Sequence, residues 1–177
     1  MKEGFTLWMT GLPASGKSTL AGILKTRLEK DHWMQVEILD GDEVRKGLSR
    51  DLGLSREDRE EHAMRVSFVS KLLSRNGVVS IVSLISPYRS SRESAKQMIG
   101  PERFLEVYVK ASLTVCEMRD PKGLYAKARR GEITNMTGIQ DPYEEPLDPD
   151  IVVETEKSSP EASAALVVKE LQRRRRL

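Results

Sequence analysis

The sequence is poor in the residues that build disulfides, metal clusters and aromatic platforms. One cysteine, Cys116, and two histidines stand among 177 residues. A lone cysteine cannot close an internal disulfide or assemble a thiolate cluster, so a reducing compartment is expected. On a helical segment with no histidine nearby, Cys116 reads as inert core. Aromatics make up 5% of the chain, and both tryptophans, Trp8 and Trp33, are expected to pack. No apolar run reaches the roughly 18–20 residues of a membrane-spanning helix. Lysine and arginine number 29 against 27 acidic residues, a net charge of +2. That excess is too small to argue for a nucleic-acid or membrane partner. The basic cluster Arg173–Arg176 reads as a solvated helix end that complements the helix dipole. Met1–Thr10 runs straight into a glycine-rich motif, so no signal peptide is expected and the cytoplasm is the expected location.

What the chain does have is alternation. Apolar, β-rich runs at Phe5–Thr10, Val36–Leu39, Val78–Leu84, Phe104–Val109 and Ile151–Glu154 predict strands. Helical spacing covers Ser18–Lys30, Glu57–Asn76, Arg92–Ile99 and Leu113–Asp120. Ser159-Pro160 then opens a last helix running to about Arg174. In the long helix Val66, Val69, Leu72 and Leu73 form the apolar stripe, and Asn76-Gly77 ends it. Such alternation predicts an α/β fold, a five-stranded parallel sheet flanked by helices. Right-handed crossovers place the loops after the strands along one edge, where ligands bind. The segment about 119–149 breaks the alternation with glycines, prolines and charges. A stretch this long is expected to be a lid.

Gly11-Leu12-Pro13-Ala14-Ser15-Gly16-Lys17-Ser18, followed by Thr19, matches G-x-x-x-x-G-K-[ST] without a mismatch. It lies between a predicted strand and a predicted helix, the context the motif requires. Glycines let the backbone curl so that N–H groups face phosphate oxygens, and the helix aims its positive dipole end at them. Lys17 is expected to reach the β- and γ-phosphates, and the Ser18 hydroxyl to ligate Mg²⁺. The fold expected is therefore a P-loop NTPase three-layer sandwich, one kinase domain over residues 1–177. The chain lacks an Asn-Lys-x-Asp guanine signature, which favours ATP. Short length and a basic lid suit a small-molecule kinase.

Asp40-Gly41-Asp42-Glu43-Val44-Arg45 follows the second strand. Two carboxylates around a glycine suit a loop that sets one of them near a hydroxyl or a metal. Arg45 is expected on the first turn of the next helix, ready to clamp an anion. The same string also suits an ordinary Asp-Gly turn and helix cap.

From Leu7 to about Glu156 the chain resembles the adenylylsulfate kinase family. The resemblance rests on the P-loop and on Asp40-Gly41-Asp42-x-x-Arg45-x-Gly47-Leu48, Asp51-Leu52-Gly53 and Asp58-Arg59. It continues through Ile85-Ser86-Pro87-Tyr88, Phe104-Leu105-Glu106-Val107 and Arg119-Asp120-Pro121-Lys122-Gly123-Leu124-Tyr125. Gly131-Glu132, Thr137-Gly138-Ile139 and Pro142-Tyr143-Glu144 complete it. The resemblance implies transfer of the ATP γ-phosphoryl group to the 3′-hydroxyl of adenosine 5′-phosphosulfate (APS), giving 3′-phosphoadenosine 5′-phosphosulfate (PAPS). It implies a catalytic set of Asp42, Lys17 and Ser86, with Asp42 orienting or deprotonating the ribose hydroxyl and Ser86 positioning the acceptor. Arg45 and Arg59 would hold the phosphosulfate. Asp40, Leu54, His62, Ile85, Pro87, Tyr88 and Met136 would complete the acceptor site. Lys122 and the lid arginines Arg119, Arg129 and Arg130 would close over the phosphates. Small nucleotides are the implied partners, and the family suggests a homodimer.

The departures fall on the acceptor side. Leu54 and Met136 stand where the family carries the two phenylalanines that sandwich the acceptor adenine. His62-Ala63-Met64-Arg65 replaces Asn-x-Arg-Arg. Two readings stay open, an adenylylsulfate kinase with an altered pocket and a same-fold kinase with another nucleotide-like acceptor. A binding module without transfer activity is disfavoured by intact Lys17, Ser18 and Asp42. Outside an acceptor role, His62 would be a surface helix residue.

Overall fold

The computed structural model describes residues 3–177. Met1 and Lys2, expected to share the same domain, lie outside the described residues. Five parallel strands form one sheet: β1 (Thr6–Thr10), β2 (Gln35–Asp40), β3 (Val78–Ser83), β4 (Phe104–Lys110) and β5 (Ile151–Glu154). Their spatial order is β2-β3-β1-β4-β5. The helices are α1 (Lys17–His32), α2 (Gly41–Lys46), α3 (Arg56–Arg75), α4 (Arg89–Ile99), α5 (Leu113–Arg119), α6 (Leu124–Arg129) and α7 (Pro160–Arg173).

The central strand shows how sequence dictates layers. All of β1 is buried, and successive side chains of a strand point to opposite faces. Leu7 and Met9 therefore pack with Leu20, Leu24 and Leu28 of α1 and with Val167 and Leu171 of α7. Trp8 enters the other layer, with Ala63 and Val66 of α3 and Ala95 and Ile99 of α4. A third cluster of Cys116, Tyr125, Ala128 and Met136 forms the core of the 119–149 segment.

Caps set most helix starts. Ser159 and Pro160 open α7 as the sequence predicts, with the Ser159 hydroxyl accepting from Ala162 N. Ser55 caps α3 and Asp40 caps α2. Four expectations need correction. Arg45 lies in the last turn of α2, because the helix begins at Gly41. Helix α4 starts at Arg89, earlier than its periodicity suggests. Its N-cap, Tyr88, offers no side-chain acceptor, and the Glu144 carboxylate accepts from Arg89 N at 2.8 Å instead. Trp33 does not pack. It is 87% exposed in a left-handed C-cap of α1 with φ 53°. Two of the four C-terminal arginines are tethered, while Arg173 and Arg175 stay exposed. Arg174 donates to Asp150 Oδ1 and O at 2.9 Å each, and Arg176 donates to the Glu102 carbonyl.

Candidate active site

The loop between β1 and α1 is shaped by residues that a side chain would spoil. A Cβ on Gly11 would collide with the Val109 carbonyl oxygen and sit 2.8 Å from Ser15 Oγ. Ala14 and Gly16 take left-handed conformations, φ 62° and 104°. This curl brings the Lys17 ammonium back over the loop, where it donates to Gly11 O at 2.9 Å and Leu12 O at 2.7 Å. Burial depresses the Lys17 pKa to about 8, against upward pulls from Cys116 and Asp40. An ammonium left so poorly solvated gains most from an approaching phosphate.

The next residue turns the loop toward β2. Ser18 Oγ donates to Asp40 Oδ2 at 2.7 Å, while Asp40 Oδ1 accepts from Asp42 N at 3.0 Å. One carboxylate thus ties the phosphate loop to the start of α2. A hydroxyl beside a carboxylate is the hard-oxygen donor set that suits Mg²⁺. The Asp40-Gly41-Asp42 string leaves open which carboxylate meets a hydroxyl or a metal. The Ser18–Asp40 contact, which spans separate elements, shows that it is Asp40 that meets the loop hydroxyl.

These elements open onto a cleft of about 550 Å³. Lys17, Ser18, Arg119 and Thr155 line one end. Arg119 donates to Thr155 Oγ1 at 3.0 Å and Thr155 O at 2.8 Å, joining the 119–149 segment to the loop after β5. Thr155 escaped sequence reasoning, although its place just after a strand at the ligand edge was a usable signal. Asp42, Arg45, Arg59, His62 and Ser86 line the other end. Lys122 reaches across from the 119–149 segment and pairs with Asp42. Both partners are largely exposed, so the pair holds the cleft only weakly. The Tyr125 hydroxyl donates to Pro13 O at 3.0 Å, a second bond from this segment to the phosphate loop.

A family model described as adenylylsulphate kinase matches residues 3–154. The chain belongs to the adenylylsulphate kinase family. An adenylyl-sulfate kinase of Halothermothrix orenii is 51% identical, over 97% of this chain and 91% of that protein. One from Microcystis aeruginosa is 49% identical, over 94% of this chain and 90% of that protein. Among solved structures, the Mycobacterium tuberculosis APS kinase CysC in complex with AMPPNP and APS superposes with a TM-score of 0.92. It is 41% identical, over 97% of this chain and 99% of that one.

Within this adenylylsulphate kinase the cleft gathers most of the expected site. Pro13, Ala14, Gly16 and Thr19 line it with Lys17 and Ser18, and Asp40, Ile85 and Pro87 join from the facing loops. Gly11, Leu12 and Ser15 shape the loop from behind. Five further expected residues do not line the cleft. Tyr88 is buried under Arg56, whose guanidinium carbon lies 4.5 Å from the ring centroid. Met136 packs with Cys116 and Tyr125. Leu54 is 48% exposed on the outer rim. Arg129 pairs with Glu117 and Arg130 with Glu132, each at 2.5 Å. Arg59 bridges Leu54 and the residue before Met136: it donates to Leu54 O at 3.0 Å and to Asn135 O at 2.7 Å.

His62 is not a surface residue. It is 5% exposed, with Nδ1 2.9 Å from Ser49 Oγ and no partner at Nε2. Burial, with repulsion from Arg45, Arg65 and Arg59, lowers its pKa to about 4. The imidazole is therefore neutral at neutral pH. Cys116 is buried, and burial pushes its thiol up.

Proposed function

We propose that the protein transfers the γ-phosphoryl group of ATP to the 3′-hydroxyl of APS, giving ADP and PAPS. One observation carries this reading: the phosphate-loop Lys17 and Ser18 share a cleft with Asp42, Arg45, Arg59 and Ser86. A triphosphate on the loop places its terminal group toward Asp42. The solved relative that holds AMPPNP and APS together supports the same pairing of ligands.

Catalysis of phosphoryl transfer is mostly positioning and charge stabilisation. Backbone amides of residues 11–18 grip the phosphates, and Lys17 follows the charge that develops on the transferring group. Ser18 and Asp40 would hold Mg²⁺, which neutralises phosphate charge when bound. Asp42 orients the incoming hydroxyl and accepts its hydrogen bond. Lys122, paired with Asp42, can pass to the phosphates as the acceptor takes its place. Arg45 and Arg59 offer neighbouring guanidinium forks to the phosphosulfate. The 119–149 segment serves as the lid, and its closure excludes water.

A homodimer and a cytoplasmic location belong to this reading. Sedimentation of the pure protein as a monomer at micromolar concentration would remove the dimer.

The test is a coupled ADP-release assay with APS as acceptor. APS-dependent turnover supports the proposal. Turnover that needs a different nucleotide would replace the acceptor, and none with any acceptor would remove the transfer reaction. Lys17→Ala is expected to abolish release, with far-UV circular dichroism unchanged.

A further inference from the structure

Behind Ser86 lies a buried cation that the transfer reaction leaves unexplained. Arg92, on the first turns of α4, is 3% exposed and is not among the residues lining the cleft. Its guanidinium serves three separate elements. Nε meets Glu106 Oε1 of β4 at 2.7 Å. Nη1 donates to Ser86 O at 2.6 Å, and Nη2 donates to Glu144 O at 2.7 Å. Three planar donors directed at three fixed acceptors use the geometry that distinguishes arginine from lysine.

Ser86 needs such support. Its φ is 44°, the left-handed region that residues with a Cβ adopt only where their surroundings hold them. Pro87 follows, and a proline further restricts the residue before it. Trp8 Nε1 donates to Ser86 Oγ at 3.1 Å. An indole N–H can only donate, so it occupies a lone pair and leaves the serine proton for a ligand oxygen. The conformation and the hydroxyl direction are thus both set from behind, by Arg92 and Trp8.

The same guanidinium joins Ser86 to the end of the lid. Glu144 N donates to Pro87 O at 2.8 Å, and the Glu144 carboxylate accepts from Arg89 N. Arg89 Nε donates to Glu145 O at 2.8 Å. The Tyr143 hydroxyl lies 2.9 Å from Thr10 Oγ1, which in turn donates to Ile85 O. Residues 143–145 and 85–89 therefore form one bonded unit, with Arg92 at its buried centre. A buried ion pair is weak support for stability, and apolar residues of similar volume often replace one without loss. What they could not do is fix two backbone carbonyls.

The geometry points to Arg92 as a positioning residue that holds Ser86 in its left-handed conformation and couples it to the seated end of the lid at Glu144. The acceptor loop keeps its shape only while residues 143–145 are docked. This inference rests on the proposed APS kinase reaction.

The test compares the full chain with Arg92→Lys, a change that keeps the charge beside Glu106 but cannot span both carbonyls. The KM for APS is expected to rise about tenfold while the KM for ATP stays within about twofold. Amides of residues 86–89 and 143–145 are expected to exchange with solvent faster than in wild type. Should Arg92→Lys fail to fold, Glu144→Ala removes the tie at Arg89 from the lid side and is expected to shift the same KM. Unchanged kinetics, or equal losses with both substrates that track the folded fraction, would overturn the inference. If wild type itself shows no turnover with APS, the underlying reaction is wrong; if wild type turns over and both variants match it, only the positioning role is.

Discussion

At the scale of single residues, the site is governed by charges denied their solvent. Lys17 is the clearest case. With its pKa near 8, the ammonium loses its proton above pH 8, while a bound triphosphate restores it. Nucleotide affinity is therefore expected to fall as pH rises from 8 to 9.5, by up to about tenfold per unit. Titration calorimetry in buffers of different ionisation enthalpy checks this through proton uptake on binding; a flat profile would contradict it. His62 gives the opposite window. Its pKa is about 4 in the folded chain against 6.5 ordinarily. Between those values the unfolded chain binds more protons, so stability is lost as pH falls from 6.5 to 4. His62→Gln is expected to flatten that acid limb in thermal melts, and an unchanged limb would show that other groups set it. The glycine-rich loop was legible residue by residue, because its chemistry lies in consecutive positions. His62 was not, since its burial comes from Ser49 and Gly41 on other elements.

At the scale of elements, the lid has its own small core. Met136 is 6% exposed among Cys116, Tyr125 and Ala128. Met136→Phe, which would match the family's aromatic, overpacks that cluster and is expected to cost about 1–3 kcal/mol. Chemical denaturation measures it, and a neutral or stabilising result would place Met136 outside a packed site. Helix α6 was not legible. It has only six residues, and its start is held by the Asp120 carboxylate, which accepts from Tyr125 N at 3.2 Å and Ala126 N at 3.0 Å. The start of α4 was hidden for a related reason. Its acceptor, Glu144, lies 55 positions away in sequence. Helices α1 and α7 were legible because their apolar faces repeat over several turns. Helix α3 was legible in extent, but its buried face is His62, Ala63, Val66, Ser67, Ser70 and Ser74, and Val69, Leu72 and Leu73 of the expected stripe are only partly buried.

At the scale of the whole molecule, parallel strands alternating with helices specify the sheet, and the β2-β3-β1-β4-β5 order sets the phosphate loop at its centre. The strand order itself could not be read from alternation, since it depends on which crossovers share a face. No helix among the described residues is long and apolar enough to cross a membrane. The lid touches the phosphate loop through Tyr125 and the acceptor loop through Arg92 and Glu144. Binding of both ligands should therefore stabilise the molecule as a unit. A nonhydrolysable ATP mimic at 100 times its Kd is expected to add about 2.7 kcal/mol. With APS also present, proteolytic cleavage within residues 119–149 should slow further; unchanged cleavage would mean that the segment does not close.

The central claim is that the terminal phosphoryl group of ATP passes to one particular hydroxyl. The most direct measurement is to incubate the pure protein with ATP, Mg²⁺ and APS and treat the product with a 3′-specific nucleotidase. The product expected is heavier than APS by one phosphoryl group, and the nucleotidase returns it to APS. A phosphorylated product that resists the nucleotidase, or ADP formed with APS left unchanged, would contradict it.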